Sequence, residues 1–66
     1  MQLRVNGEVR QFSSVQVVDD ILRELGYDAK KIAVAVNGEF VPRSQYASRI
    51  VHDGESVEIV APVQGG

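Results

Sequence analysis

Two Asn-Gly dipeptides, Asn6-Gly7 and Asn37-Gly38, constrain this chain more than any other feature. A type I′ turn needs positive φ at both central residues, and Asn-Gly meets that need at little steric cost. Each dipeptide therefore predicts a tight turn next to a strand. Ahead of the first, Met1, Leu3 and Val5 alternate with Gln2 and Arg4, the period of a half-buried strand. The return strand, from about Glu8 to Phe12, alternates poorly and leaves its register open. Residues 1–12 read as a β-hairpin.

The period then changes. Val18, Ile21, Leu22 and Leu25 fall at i, i+3, i+4 and i+7, an apolar stripe along one helical face. Asp19 and Asp20 occupy the first turn, where the helix dipole favours negative charge. Ser14 has the better chemistry for the N-cap, with Gln16 nearby, and Gly26 supplies the stop. The spacing predicts one amphipathic helix of about ten residues, which needs a sheet to lie on. Next, Ile32, Val34 and Val36 share one face of a strand, with Ala33 and Ala35 on the other. A strand with no plainly polar face suits the sheet interior, or a second face that meets a partner. Beyond Pro42, "RSQYASRIV" is too polar and short for a core helix and reads as a single helical turn or an irregular crossover. Asp53-Gly54 is a third turn signal, and "ESVEIVA" gives a final strand with Val57 and Ile59 facing in.

Hairpin, helix, strand, crossover and final strand assemble most simply as an α+β fold. A mixed sheet of four to five strands carries one main helix packed across one face, joined by a right-handed crossover. That is the β-grasp, or ubiquitin-like, layout. Residues 1–61 form this domain, and residues 62–66 are expected to be a flexible C-terminal tail. At 66 residues the chain is near the lower limit of what folds without staples, and it has no cysteine to supply a disulfide or a thiolate ligand. A single histidine, His52, leaves no His-based metal cluster. The net charge of −2 argues against nucleic-acid binding. No apolar run approaches membrane-spanning length and no leader opens the chain, so the expectation is a soluble, cytoplasmic protein.

The chain stops at Gly65 and Gly66, in a tail that cannot help it fold. A frayed end is the plain explanation. Chemistry offers another. A C-terminal carboxylate is ionised at neutral pH and is a poor electrophile, so it must be activated before a nucleophile can attack it. A terminal glycine leaves its carbonyl unhindered, and a second lets the backbone thread a narrow channel. Pro62 stiffens the base and keeps it out of the sheet, and the five residues from Pro62 reach about 17 Å when extended. The tail suits entry into another protein's active site, with Val63, Gln64 and Gly65 as the threading residues.

The run "VNGEFVPRSQY", the "DGESVEIV" after it, the terminal "PVQGG", the opening "MQLRVNGE" and the overall length resemble the ThiS family of thiamine-biosynthesis sulfur carriers. The likeness covers nearly the whole chain. One departure is Tyr46, where such proteins often carry tryptophan. The resemblance implies a carrier rather than an enzyme, with no cofactor of its own. A ubiquitin-activating-like adenylyltransferase would use MgATP to adenylate the Gly66 carboxylate. Sulfur from cysteine, relayed by a cysteine desulfurase or another donor, would displace AMP to leave a thiocarboxylate. Thiazole synthase would then take the sulfur. The alternatives are a carrier like the small subunit of molybdopterin synthase, a ubiquitin-like modifier conjugated through Gly66, and a non-covalent interaction domain.

Other residues weigh differently. Phe40 is either core or a partner-facing aromatic. Val60 is expected on the sheet face opposite the helix, where an apolar patch with Ala33 or Ala35 suits docking or simple strand packing. Phe40, Val60 and Ala35 are the candidate partner surface. Arg43 is a candidate contact to an acidic partner, with a solvated charge the stronger expectation. Asp19, Asp20 and Glu24 read as a solvent-facing acidic helix surface with no catalytic pairing. No nucleophile–base pair, metal spacing or phosphate loop is present in the sequence.

Overall fold

Both Asn-Gly dipeptides adopt the predicted geometry in the computed structural model, which describes residues 1–14 and 16–61. Asn6 and Asn37 sit at φ 50° and 52°, and Gly7 and Gly38 at 84° and 80°. The first turn joins β1 (Gln2–Val5) to β2 (Glu8–Gln11), pairing Leu3 with Arg10 and Val5 with Glu8. The second joins β4 (Ala33–Val36) to β5 (Glu39–Val41), pairing Val34 with Val41 and Ala35 with Phe40. The last strand, β7 (Ser56–Val60), lies between the two hairpins, parallel to β1 and antiparallel to β4. The sheet is thus five-stranded and mixed, in the order β2-β1-β7-β4-β5.

One helix, α1 (Val18–Leu25), lies on one side of this sheet. Its Val18, Ile21 and Leu22 are buried with Leu3, Val5, Val34, Val36, Val57 and Ile59, so strand period and helix period meet in one core. Gly26 closes the helix at φ 84°, its N–H donating to the Arg23 carbonyl while the Tyr27 N–H donates to that of Leu22, the Schellman pattern. The helix is shorter than the spacing predicted, 8 residues, and Ser14 does not cap it. Gln16–Val17 instead form β3, which pairs with β6 (Ile50–Val51) in a separate two-stranded ribbon. The ribbon holds the chain extended up to Val17. The first free helix N–H groups find backbone acceptors there: Val18 donates to the Arg49 carbonyl and Asp19 to that of Tyr46, both at 2.9 Å. These two bonds do part of the work a capping side chain would otherwise do.

The polar crossover contains the predicted single turn, at Arg43–Gln45, but it also supplies core. Tyr46 and Val51 are buried, and so is Phe12 just past β2. Among the described residues no helix is long and apolar enough to cross a membrane, and no group of three or more His, Cys, Asp or Glu gathers to hold a metal. The expected tail, residues 62–66, lies outside the described residues.

Candidate functional site

Alternation along β7 sends Val57 and Ile59 into the core and leaves Glu58 and Val60 on the open face of the sheet. Register then decides their neighbours. Ala33 is opposite Val60, and Ala35 is opposite both Glu58 on one side and Phe40 on the other. Register therefore brings Phe40 and Val60 to either side of the strand that carries Ala33 and Ala35. Strand period alone points to Val60 and the alanines and leaves Phe40 open. Phe40 is 67% exposed and Val60 61% exposed, which removes the core alternative for Phe40. The reason is the alternation of β5, whose Val41 takes the inward position. Together with Gly38 and Val34 these residues line a groove of about 170 Å³. That is smaller than the roughly 300–1,000 Å³ of ordinary small-molecule pockets, so the face suits protein docking better than ligand binding. A second hollow, lined by Gln2, Leu3, Arg4, Val9 and Gly54, is smaller still, about 70 Å³.

The groove borders the end of β7, where the chain leaves the sheet through Ala61 toward the tail. Two side chains that sequence reasoning assigned only to turns fix this strand. On the β1 side the regular pairing ends at Val5 opposite Val57. There the Asn6 N–H donates to the Val57 carbonyl at 2.9 Å. The Asn6 side chain goes on: its Nδ2 donates to the Ile59 carbonyl at 3.1 Å, and its Oδ1 accepts the Ile59 N–H at 2.8 Å. A side-chain amide has the donor and acceptor of a peptide group, so Asn6 continues the ladder by one more rung. On the β4 side the Asn37 N–H donates to the Ser56 carbonyl, and its Oδ1 accepts the Ser56 N–H at 3.0 Å.

Asn37 Nδ2 also donates to Glu55 Oε2 at 2.7 Å. The His52 backbone N–H donates to Glu55 Oε1 at 2.6 Å. That backbone bond is the largest influence holding the Glu55 carboxyl below its ordinary value. Burial opposes it, and the Asn37 amide and the His52 and Arg49 charges reinforce it. Glu55 thus braces the turn before β7, and His52, whose Nδ1 lies 3.6 Å from Glu55 Oε1, belongs to the same brace. On the helix, exposed Arg23 pairs with half-buried Asp19 at 3.3 Å and exposed Asp20 at 3.7 Å.

Arg43 is exposed, with its Nη2 3.5 Å from the Lys30 carbonyl oxygen. The remaining sequence-predicted site residues, Gly66, Gly65, Gln64 and Val63, lie outside the described residues.

A mixed five-stranded sheet grasping one helix, with its central strand leading into the chain's last residues, defines a ubiquitin-like β-grasp domain. The model of the ThiS family matches residues 3–66, and the chain belongs to that family. The sulfur carrier protein ThiS of Escherichia coli is 33% identical over 66 residues, covering all of both chains. That of Thermus thermophilus is 36% identical over 62 residues, covering 94% of this chain and 95% of the other. A thiazole synthase of Paramagnetospirillum magneticum is 50% identical over 66 residues, and the match takes in all of this chain but only 20% of that protein. The crystal structure of the thiamine biosynthesis protein ThiS from Geobacter metallireducens superposes with a TM-score of 0.88 at 30% identity over the whole of both chains.

Proposed function

We propose that this chain is a sulfur carrier of thiamine biosynthesis that acts in the cytoplasm, loaded and unloaded at the carboxylate of Gly66. The observation that carries the proposal is the match, over the full length of both chains, to a protein named as a sulfur carrier, with the family model running through residue 66.

In this reading the chain is a co-substrate, and its partners supply the chemistry. A Gly66 carboxylate oxygen attacks the α-phosphorus of MgATP on an adenylyltransferase and expels pyrophosphate. The acyl adenylate gives the carbonyl carbon a good leaving group. A sulfur nucleophile, ultimately from cysteine, attacks that carbon and AMP departs. Where the sulfur arrives as a desulfurase persulfide, a thiol must then reduce the S–S bond to free the thiocarboxylate. On thiazole synthase the sulfur passes to the substrate, an oxygen from that substrate or from water takes its place on the carbonyl carbon, and Gly66 returns to a carboxylate. The match of this chain to one fifth of a protein named thiazole synthase supports that last partnership.

The chain's own contribution is presentation. Val63, Gln64 and Gly65 thread the partner's channel and bring Gly66 to the reacting atoms. The exposed groove of Ala35, Phe40 and Val60 docks beside that channel, since β7 ends at Val60 and whatever holds the tail must come close to it. ATP–pyrophosphate exchange on the adenylyltransferase tests both parts. A chain lacking Gly66 should keep its circular dichroism and lose exchange, and exchange at the full chain's rate would contradict the carrier reading. Val60→Asp should raise KM several-fold with little effect on the fold, since the position is exposed. An unchanged KM would remove the groove from the interface.

A further inference from the structure

Three of the seven Lys and Arg residues meet at one corner of the molecule. Lys30 and Lys31 lie in the short helical turn Ala29–Lys31, which leads through Ile32 into β4. Arg43 opens the turn that follows β5. Antiparallel pairing brings the start of β4 and the end of β5 together, since Val34 is opposite Val41. The Arg43 guanidinium then reaches back to the Lys30 carbonyl. The end of β7 is also at this corner, because Ala33, two residues after Lys31, is opposite Val60.

All three cations are exposed, and none is within ion-pair distance of a described carboxylate. Arg23, by contrast, is paired with Asp19 and Asp20 on the helix, across the sheet from the open face. The nearest acid in sequence is Asp28, whose Oδ1 accepts the Lys30 backbone N–H at 2.9 Å. Glu58 lines the groove beside the corner. In a chain with a net charge of −2, three cations without an ion-pair partner among the described residues form a local positive excess near the end of β7. Lys31 is two residues before Ala33, which lines the apolar groove, and Arg43 is two residues after Val41 on the neighbouring strand. Charge thus follows an apolar patch, as it does at the rim of a protein interface.

We propose that Lys30, Lys31 and Arg43 form a cationic rim that receives an acidic protein surface at the mouth of the activating enzyme's tail channel. This deepens the carrier reading and rests on it. A rim charge acts mainly through encounter: it raises the association rate, orients the approach and weakens with salt, while the chemical step is unaffected. Here the steering would bring the tail base to the channel before the tail threads.

The test measures adenylation of the full chain by its own adenylyltransferase at low and high ionic strength. Lys31→Glu and Arg43→Glu are compared with Arg10→Glu, which makes the same charge change on β2 at the far edge of the sheet. At low salt the two rim variants should each raise KM about tenfold with kcat little changed, and Arg10→Glu should stay near the wild type. The differences should collapse when salt shortens the Debye length to roughly 3 Å. Neutral Lys31→Gln and Arg43→Gln should fall between. Equal effects from all three positions would assign the result to net charge and overturn the rim. A fall in kcat at unchanged KM would point to nucleotide phosphate instead of an acidic surface, and would overturn it too. Rim variants that match a wild type which is itself adenylated would sink the rim and leave the carrier reading standing. A wild type that is not adenylated would end both.

Discussion

Asn6 holds a left-handed turn and also completes the pairing of β7, and the two roles can be separated. A type I′ turn accepts glycine at its first central position, so Asn6→Gly keeps the hairpin and deletes only the two bonds to Ile59. Those bonds are partly buried, so the Ile59 N–H and carbonyl would be left short of partners. Urea unfolding should show a loss of about 1–2 kcal/mol, and unchanged stability would mean that the clamp contributes nothing. Glu55 gives a prediction in pH. Its folded carboxyl titrates below the ordinary value of 4.5, so the stability it contributes is whole above that value. As the pH falls through the lowered folded value, the unfolded chain has already taken up its proton and the contribution is lost. Glu55→Gln should therefore lose its deficit relative to the wild type as the pH falls below 4.5 and through the lowered folded value, read from urea midpoints at a series of acid pH values. A deficit constant with pH would show that ionisation of Glu55 does not support the fold.

At the scale of elements, the crossover after β5 is as structural as the strands. Tyr46 buries its ring in the core and lends its carbonyl to the Asp19 N–H, so it joins packing to helix capping. Tyr46→Ala should cost about 3–5 kcal/mol, by analogy with other buried aromatics. A domain of 66 residues has only roughly 3–10 kcal/mol to lose, so thermal melting should show a collapse in Tm or no folded population. A Tm near the wild type's would mean that the ring is not core. The sequence did not expose this role, because a lone aromatic in a polar stretch has no period to read. The same limit hid the ribbon of β3 and β6, whose two-residue strands are held by a partner more than thirty residues away. It also misplaced the helix start, because the groups satisfying the first helix N–H donors come from residues 46 and 49. What could be read was local: the Asn-Gly turns, the alternation of Leu3 with Val5 and of Val57 with Ile59, and the stripe of Val18, Ile21 and Leu22. Those features alone determine the hairpins, the helix and its face.

For the whole molecule, strand order converts these local features into a site. The groove was legible because Ala35 and Val60 follow from strand period, although the sequence left Phe40 divided between core and surface. The cationic corner was not legible as a cluster. Lys30 and Lys31 belong to one turn and Arg43 to another, and only the register of β4 against β5 brings them together. The two features flank the end of β7, whose backbone Asn6 bonds at Val57 and Ile59 and Asn37 at Ser56. Carriage by this chain requires that Gly66 be loaded with sulfur. Intact mass of the chain after incubation with its adenylyltransferase, MgATP and a sulfur source tests it most directly. The expected result is a gain equal to replacing one oxygen by sulfur, localised to Gly66 by fragmentation. An unchanged mass with an active enzyme and no trapped adenylate, or a lysine-linked adduct in its place, would contradict it.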